Sequence, residues 1–366
     1  MNIERARGAV YGAACGDAMG APMEFTGGQR SDFPKLLKGP HTKMTGGGTW
    51  GVLPGQITDD THMAVCLAEA LADGYDLNKV GRRYADWRKV TFDIGGMTSA
   101  SLGAFEANHI GYNCGRRPWE GQRSGAGNGS LMRCSPIGAF YADPQMVRRV
   151  SMLDSAITHF DPRCQIACAT YSAAISEAAY WCDDCRDLPE IKAAMFIRAR
   201  VAAAEAGADF LRQHPDLHKE GLEATEDILR DLRMATQADP DLYGSDVSIT
   251  GGKSGFVRTA FRLAFWHLFH TDSFQAAIID TVNRGGDTDT NGAIVGGLLG
   301  ALYGNGDLPV EWNTAVCDAL QEGTGRFHSS LATTYHPMRF ERMLTKIEAK
   351  YNQNQKRAER RRLFGR

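Results

Sequence analysis

Two stretches of the sequence place acidic and hydroxyl side chains directly before an apolar, helix-forming segment. Residues 58–61 read Thr-Asp-Asp-Thr, and residues 287–290 read Asp-Thr-Asp-Thr. One such residue is enough to cap a helix N-terminus, where it contributes about 1 kcal/mol, and capping alone could explain either stretch. If the carboxylates converged without a cation, each close pair would repel by roughly 4 kcal/mol at an effective dielectric constant of 20. A hard divalent cation removes that objection. Mg²⁺, Mn²⁺ and Ca²⁺ favour carboxylate, hydroxyl and carbonyl oxygens, so four aspartates with threonine oxygens would suffice for two ions.

The helices that must bring these clusters together carry glycine at every fourth position. The first helix has Gly8, Gly12, Gly16 and Gly20, and the helix after the second cluster has Gly292, Gly296, Gly300 and Gly304. Residues four apart form one ridge, so the two helices are predicted to pack closely at the centre. Two separately buried helices with small residues would show the same spacing. If the pair is antiparallel, Glu24 and Asp289 lie at the same end. Glu24 is then a candidate general acid or base, and the alternative is a solvated loop glutamate.

Helical periodicity dominates the rest of the sequence, and few segments alternate apolar and polar residues. Helices are predicted at about 2–20, 60–73, 79–90, 97–110, 145–156, 163–181, 189–213, 219–237, 256–270, 273–283, 290–303, 311–321 and 337–352. Glycine-rich loops occupy 45–56, 121–130 and 243–255. We therefore predict an all-α fold with one domain over 1–352. The more charged region 183–245 could be a peripheral helical insertion, and the basic end 353–366 is expected to be a solvated tail.

Composition excludes several function classes. The 366 residues are 43% hydrophobic and 23% charged with a formal net charge of -2, which is typical of a soluble globular protein and gives no argument for nucleic-acid binding. No apolar run approaches the roughly 18 residues that span a bilayer, and no signal-peptide core is present at the N-terminus. Nine cysteines, an odd number, indicate reduced thiols. We expect a cytoplasmic monomer without a membrane or nucleic-acid partner.

Six motifs occur in an order that resembles the ADP-ribosylglycohydrolases, the family that includes the dinitrogenase-reductase-activating enzyme. They are GDAMGAPME, GGGTWGVLPGQITDDTHM, GAGNGSLMRCSPIG, THFDP, SGFVRTAFRLAFW and GGDTDTNGAIVGGLLGALYG. The resemblance runs from residue 5 to about 345 and is weakest in 183–245. It implies a compact, orthogonal all-α bundle and a hydrolase that uses two divalent cations, Mg²⁺ or Mn²⁺. Such an enzyme removes ADP-ribose from modified protein side chains, here most closely arginine, and releases ADP-ribose as product.

The resemblance also implies roles for individual residues. The implied metal ligands are Thr58, Asp59, Asp60, Asp287, Asp289 and Thr290. The implied ADP-ribose contacts are the loop residues Gly127, Asn128, Gly129 and Ser130, with His159 near the distal ribose and phosphates and Phe256 at the nucleotide. Phe256 stands where the family often has tyrosine, so a stacking face is kept and a hydroxyl is lost. Glu24 would act at the scissile bond or its water. His62 replaces a common glutamine and receives no role.

Three alternatives stay open at the level of sequence. The chain could be an inactive ADP-ribose-binding module on the same scaffold, a hydrolase of serine-linked or other ADP-ribose conjugates, or an unrelated metallo-phosphohydrolase. The intact aspartates and Glu24 favour hydrolysis, because a site that no longer catalyses a reaction does not need to keep its metal ligands. Trp50, in the first glycine-rich loop, could anchor that loop or form a wall of the substrate pocket, and we favour the anchor.

Overall fold

The protein is built from sixteen α-helices in the part of the chain that the computed structural model describes, which is residues 1–25, 41–108, 114–122, 125–182, 187–321 and 328–364. The helices are α1 Ile3–Gly20, α2 Asp59–Ala72, α3 Leu77–Arg88, α4 Gly96–Asn108, α5 Arg116–Gln122, α6 Ser135–Phe140, α7 Pro144–Thr158, α8 Pro162–Ser176, α9 Leu188–Gln213, α10 His218–Met234, α11 Val257–His270, α12 Phe274–Asn283, α13 Thr288–Tyr303, α14 Val310–Asp318, α15 Ser330–Thr333 and α16 Arg339–Phe364. Across these ranges only two isolated β-bridges occur and no strand forms. The predicted all-α class is confirmed.

Helix α16 differs from its predicted extent, which ended at residue 352. It continues to Phe364 because the segment is rich in Gln, Lys, Arg, Ala and Glu, which are good helix formers, and contains no Gly or Pro before residue 365. Residues 352–358 are exposed along this extension. The predicted tail is therefore helical through Phe364, and its separation from the domain stays a prediction.

Helices α1 and α13 form the centre of the molecule and run antiparallel with their backbones in contact. A Cβ added at Gly8 would lie 2.1 Å from the Gly300 carbonyl oxygen, and one at Gly16 would lie 1.9 Å from that of Gly292. The glycine ridges therefore mesh along the whole length of both helices, as their spacing predicts. The end of α1 consequently lies beside the beginning of α13, where the Thr288 hydroxyl donates to the Gly20 carbonyl at 2.8 Å.

The remaining helices enclose this pair in one apolar core. Helix α9 contributes Ile191, Met195 and Phe210 to the same cluster of buried side chains as α1 and α13. Helix α10 is joined to α11 by Asp231, which is buried and accepts hydrogen bonds from Arg258 at 2.7 and 2.8 Å. Whether 183–245 is an insertion stays a prediction. No described helix is both long and apolar enough to cross a membrane.

Candidate functional site

The first acidic stretch is organised by Asp17, a buried residue of α1. Its carboxylate accepts the Thr58 N–H at 3.0 and 3.1 Å, the Thr58 hydroxyl at 2.9 Å, the Thr61 N–H at 3.1 Å and the Thr61 hydroxyl at 2.6 Å. Asp17 thereby caps α2 from another helix, while the Thr58 side chain makes no cap hydrogen bond to α2. The carboxylates of Asp59 and Asp60 are thus not needed for capping. No role was predicted for Asp17, although an acid in an otherwise apolar, glycine-spaced helix was a usable signal.

The second acidic stretch is held by contacts to other parts of the fold. Asp287 is the N-cap residue of α13, yet its side chain makes no cap hydrogen bond to that helix. It accepts a hydrogen bond from the Asn128 amide at 2.7 Å instead. Asp289 accepts the Thr290 N–H at 2.9 Å, and Thr290 itself is buried. The start of α13 is therefore connected directly to the Gly127–Ser130 loop.

Six carboxylates converge where α1 ends and α2 and α13 begin. We call this set the acidic cluster: Glu24, Asp59, Asp60, Asp93, Asp287 and Asp289. Oxygen atoms of Glu24, Asp93 and Asp289 all lie within 4.8 Å of one another, close enough to share one ion. Asp59 and Asp60 repel these groups electrostatically. Asp93 was missed because it lies in the loop before α4, where neither periodicity nor a paired acid distinguishes it.

Burial raises the pKa of every member of the acidic cluster, and repulsion by neighbouring carboxylates raises the pKa of every member except Asp287. Burial, followed by the charge of Asp93, raises the pKa of Glu24 to about 8, and burial with the charge of Asp287 raises that of Asp93 to about 7. Burial is also the main reason why the pKa values of the other four are raised. Raised pKa values of this kind are expected when several carboxylates lie close together without a positively charged side chain beside them.

The chemistry of the acidic cluster fits a hard divalent cation. Within the described part of the chain, no Lys or Arg forms an ion pair with any of the six carboxylates. One oxygen of Asp60, Oδ1, is buried and has no hydrogen-bond partner. The donor set contains only oxygen, the ligand atom that Mg²⁺, Mn²⁺ and Ca²⁺ prefer. That Thr58, Asp59, Asp60, Asp287, Asp289 and Thr290 bind metal stays a prediction, and the geometry adds Glu24 and Asp93 to the candidates.

His62 packs beneath the acidic cluster. Its ring is buried edge-on against Phe92 and Tyr335, with centroids 6.1 and 6.2 Å away. Neither ring nitrogen has a hydrogen-bond partner among the described residues, and burial lowers the pKa of His62 to about 3. The ring is therefore neutral and fills space.

The Gly127–Ser130 loop contacts Asp287 of the acidic cluster through Asn128 and packs against His159. A Cβ at Gly127 would lie 3.2 Å from His159 Nε2, and one at Gly129 would lie 2.8 Å from His159 Cε1. Burial and the nearby Arg133 lower the pKa of His159 to about 3, so the imidazole is neutral. The Ser130 hydroxyl lies 2.9 Å from that of Ser155 and is buried. Glycine is thus required for contact with the histidine, and the Ser130 side chain is directed into the core.

A buried ion pair that was not predicted, Arg133 with Asp154, holds this loop through the Gly129 carbonyl. Arg133 donates to Asp154 Oδ2 at 3.0 Å, to the Gly129 carbonyl at 2.9 Å and to the Thr158 hydroxyl at 2.8 Å. The Tyr84 hydroxyl donates to the other carboxylate oxygen of Asp154 at 2.9 Å. Because each polar group is satisfied, the pair can hold the loop rigidly despite its burial.

Phe256 lies at the far edge of the same loop. It forms an isolated bridge with Gly127, and the Asn128 N–H donates to the Gly255 carbonyl at 3.0 Å. The guanidinium of Arg163 lies 5.4 Å from the centroid of the Phe256 ring. The loop therefore lies between the acidic cluster on one side and an aromatic ring stacked with a cation on the other.

A family model described as ADP-ribosylglycohydrolase matches residues 2–338. The chain belongs to the ADP-ribosylglycohydrolase family. This confirms the family resemblance drawn from the six motifs, and family membership implies an ADP-ribosylated substrate.

Individual relatives agree with this family assignment over most of their length. The chain is 30% identical over 313 residues to the ADP-ribosyl-[dinitrogen reductase] glycohydrolase of Rhodospirillum rubrum, covering 84% of this chain and 89% of that protein. It is 27% identical over 322 residues to the ADP-ribosylarginine hydrolase Tri1 of Pseudomonas putida (strain GB-1), covering 85% and 73%. A solved structure titled ADP-ribosylglycohydrolase-related protein complex superposes with a TM-score of 0.61 at 26% identity, covering 92% of this chain and 98% of the other. This ADP-ribosylglycohydrolase therefore has the family fold.

Proposed function

We propose that this protein is a metal-dependent ADP-ribosyl hydrolase that cleaves the N-glycosidic bond between ADP-ribose and an arginine side chain of a modified protein. The observation that carries the proposal is the acidic cluster: four of its six carboxylates are buried, those of Asp93 and Asp287 are partly buried, and none has a Lys or Arg counterion among the described residues. Such a cluster is costly to assemble unless a cation occupies it.

The Gly127–Ser130 loop is suited to the diphosphate of ADP-ribose. Within the described chain, the N–H group of the partly exposed Gly129 donates to no protein acceptor, whereas the N–H of Asn128 donates to the Gly255 carbonyl and Ser130 is fully buried. A free N–H group in a glycine turn can bind an anionic oxygen. Asn128 also contacts Asp287, so a diphosphate on this loop would place the adjoining ribose over the acidic cluster.

Glu24 is the residue best placed to move a proton. Divalent cations held by the acidic cluster would supply positive charge that orients the ribose hydroxyls and stabilises developing negative charge. In hydrolysis, a water oxygen bonds to the anomeric carbon, the carbon–nitrogen bond breaks, and a proton from water ends on the departing guanidine. Glu24 is buried in the acidic cluster, and its carboxyl group can accept a proton from the water or donate one to the leaving group.

The arginine linkage is supported by one of the relatives, the ADP-ribosylarginine hydrolase Tri1 of Pseudomonas putida. The name of the ADP-ribosyl-[dinitrogen reductase] glycohydrolase gives the modified protein but no acceptor residue. The family also contains proteins named ADP-ribosylhydrolase ARH3, for example that of Gallus gallus at 25% identity. The acceptor linkage is therefore the part of the proposal that needs a direct assay.

The decisive experiment measures release of ADP-ribose from arginine-linked and serine-linked substrates with Mg²⁺, Mn²⁺ or a chelator. We expect release from the arginine conjugate with either metal and none with chelator. Asp59→Ala and Asp287→Ala should abolish both turnover and the metal-induced rise in melting temperature. Glu24→Gln should still bind ADP-ribose while losing most turnover. Asp86→Asn is the control, because Asp86 is exposed and, among the described residues, forms an ion pair only with Lys89 at the surface.

Each contrary result identifies a different error. Release from the serine conjugate alone would contradict the arginine linkage. ADP-ribose binding without release from either conjugate would indicate a binding module. Full activity of Asp59→Ala or Asp287→Ala would remove those residues from the metal site, and full activity of Glu24→Gln would remove Glu24 from the reaction.

A further inference from the structure

We propose that Trp50 is a positioning residue, whose indole N–H holds the Glu24 carboxylate in the acidic cluster. The inference rests on the proposed function and adds a residue that neither the motif comparison nor the metal chemistry assigns.

The contact between the two side chains is direct. Trp50 Nε1 donates to Glu24 Oε2 at 2.8 Å. No other donor in the described part of the chain reaches the Glu24 carboxylate, and the residue is only 6% exposed. The orientation of this carboxylate therefore depends on one hydrogen bond.

The loop that carries Trp50 is fixed against the segment that carries Glu24. Gly48 has a φ of 71°, and a Cβ there would lie 2.7 Å from both the Cα and the carbonyl oxygen of Pro22, so the two backbones touch. Gly47 and Val52 close the loop with two backbone hydrogen bonds of 2.7 and 3.0 Å. The backbone of the loop is therefore closed on itself and packed against Pro22, which places Trp50 beside Glu24.

Trp50 also contacts the segment that carries Asp93, another acid of the group that could share one ion. Its ring packs against Phe92 with centroids 6.0 Å apart, and Phe92 directly precedes Asp93. Trp50 thus contacts Glu24 through its N–H and the Asp93 segment through its ring face. The sequence suggested that Trp50 anchors its own loop or forms a wall of the substrate pocket. Neither interpretation included the hydrogen bond from the indole to an acidic side chain.

Electrostatics explain why an indole suits this position. Glu24 is repelled by Asp93 and Asp287, so an untethered carboxylate would rotate towards solvent. A Lys or Arg at residue 50 would also hold it, but would add a positive charge that competes with a metal ion. The indole N–H is a neutral donor that accepts no proton. It therefore fixes the carboxylate and leaves the negative charge of the acidic cluster available to bind a metal ion.

The main test replaces Trp50 with benzothienylalanine, which keeps the shape of the ring but has sulfur in place of the N–H. A second variant replaces Trp50 with Phe. We expect kcat for ADP-ribose release to fall about 10- to 100-fold, as for a displacement of a reacting group by about 1 Å. KM and the dissociation constant for ADP-ribose should change less than about threefold, because Trp50 does not contact the Gly127–Ser130 loop. Trp181→Phe is the matched control, since the Trp181 N–H donates to a remote carbonyl, that of Ala142.

A double-mutant cycle separates positioning from a general structural role. If Trp50 acts through Glu24, adding Trp50→Phe to Glu24→Ala should cause no further loss of kcat. Multiplicative losses would overturn the proposal, as would wild-type kcat in the benzothienylalanine protein.

A spectroscopic measurement tests the contact even if wild-type protein releases no ADP-ribose, a result that would contradict the proposed function. The indole N–H resonance of Trp50 is identified in ¹H–¹⁵N spectra by its absence from Trp50→Phe. It should move in Glu24→Ala and stay in place in Asp86→Asn. An unmoved resonance in Glu24→Ala would refute the hydrogen bond itself.

Discussion

Replacing Gly16 with alanine should separate the two central helices, and the size of the effect follows from the geometry. The new Cβ would lie 1.9 Å from the Gly292 carbonyl oxygen, whereas contacts below 3.0 Å essentially never occur, so α1 and α13 must move apart by about 1.1 Å. Overpacking usually costs about 1–3 kcal/mol, and a backbone carbonyl cannot rotate away, so the upper end applies. Alanine recovers about 1 kcal/mol of helix propensity. The expected net loss of unfolding free energy is about 2 kcal/mol.

The same displacement should disturb the acidic cluster. Asp17 is the next residue on α1 and caps α2, while Asp289 lies on α13 one turn before Gly292. Separating these helices therefore separates the first acidic stretch from the second. Metal–ligand distances tolerate only about 0.2 Å, so the affinity for Mn²⁺ or Mg²⁺ should fall together with stability.

Differential scanning fluorimetry with and without Mn²⁺ measures both effects. An unfolding entropy of about 2.1 cal/mol/K per residue gives about 0.8 kcal/mol/K for 366 residues, so a loss of 2 kcal/mol lowers the melting temperature by about 3 °C. The metal-induced rise should shrink or vanish. Gly121→Ala is the control, because Gly121 is an exposed helical glycine whose Cβ would meet no atom within 4 Å. A Gly16→Ala protein with wild-type melting temperature and metal response would refute the close-packing argument.

Three further predictions follow from the charges. Asp289→Asn should raise the melting temperature of metal-free protein at pH 8, since it removes a buried charge, and should abolish the rise caused by Mn²⁺; a lower metal-free melting temperature would contradict this. The pKa values of Glu24 and Asp93 are raised to about 8 and 7, so the folded state binds more protons than the unfolded chain from about pH 4 upwards. Stability in chelator should therefore decline from pH 5 to 8, and saturating Mg²⁺ should reduce the decline, which thermal melts across that range can check. Arg133→Met leaves Asp154 buried without its cation and should cost about 3–5 kcal/mol in urea denaturation, whereas a loss below about 1 kcal/mol would show that Tyr84 alone satisfies the acid.

Much of the fold follows from local patterns. Most helix positions were predictable because a helix repeats every 3.6 residues, but the short helices α5, α6 and α15 were not predicted, since seven residues or fewer show too little of that repeat. The pairing of α1 with α13 was predictable because only glycine ridges permit such an approach. The far end of α16 was not predictable, since a polar basic segment can be frayed or helical and has no apolar periodicity to decide between the two.

The candidate site was likewise predictable only in part. The two acidic stretches could be recognised because each precedes an apolar helix. The sequence could not distinguish the first stretch from an ordinary helix cap, because it does not show that the Asp17 carboxylate caps α2. Asp93 and Trp50 come from loops without periodicity, so nothing local indicates where they point.

By itself, the sequence determined the all-α class, the central helix pair and the chemistry of the two helix starts, because each depends on residues close together in the chain. Only the tertiary structure decided that Asp17 frees Asp59 and Asp60 from capping and that Asp93 reaches Glu24 and Asp289. It also decided that Trp50 is the donor to Glu24. These relations join segments separated by many residues, and their geometry is set by how the helices pack, which no short stretch of sequence encodes.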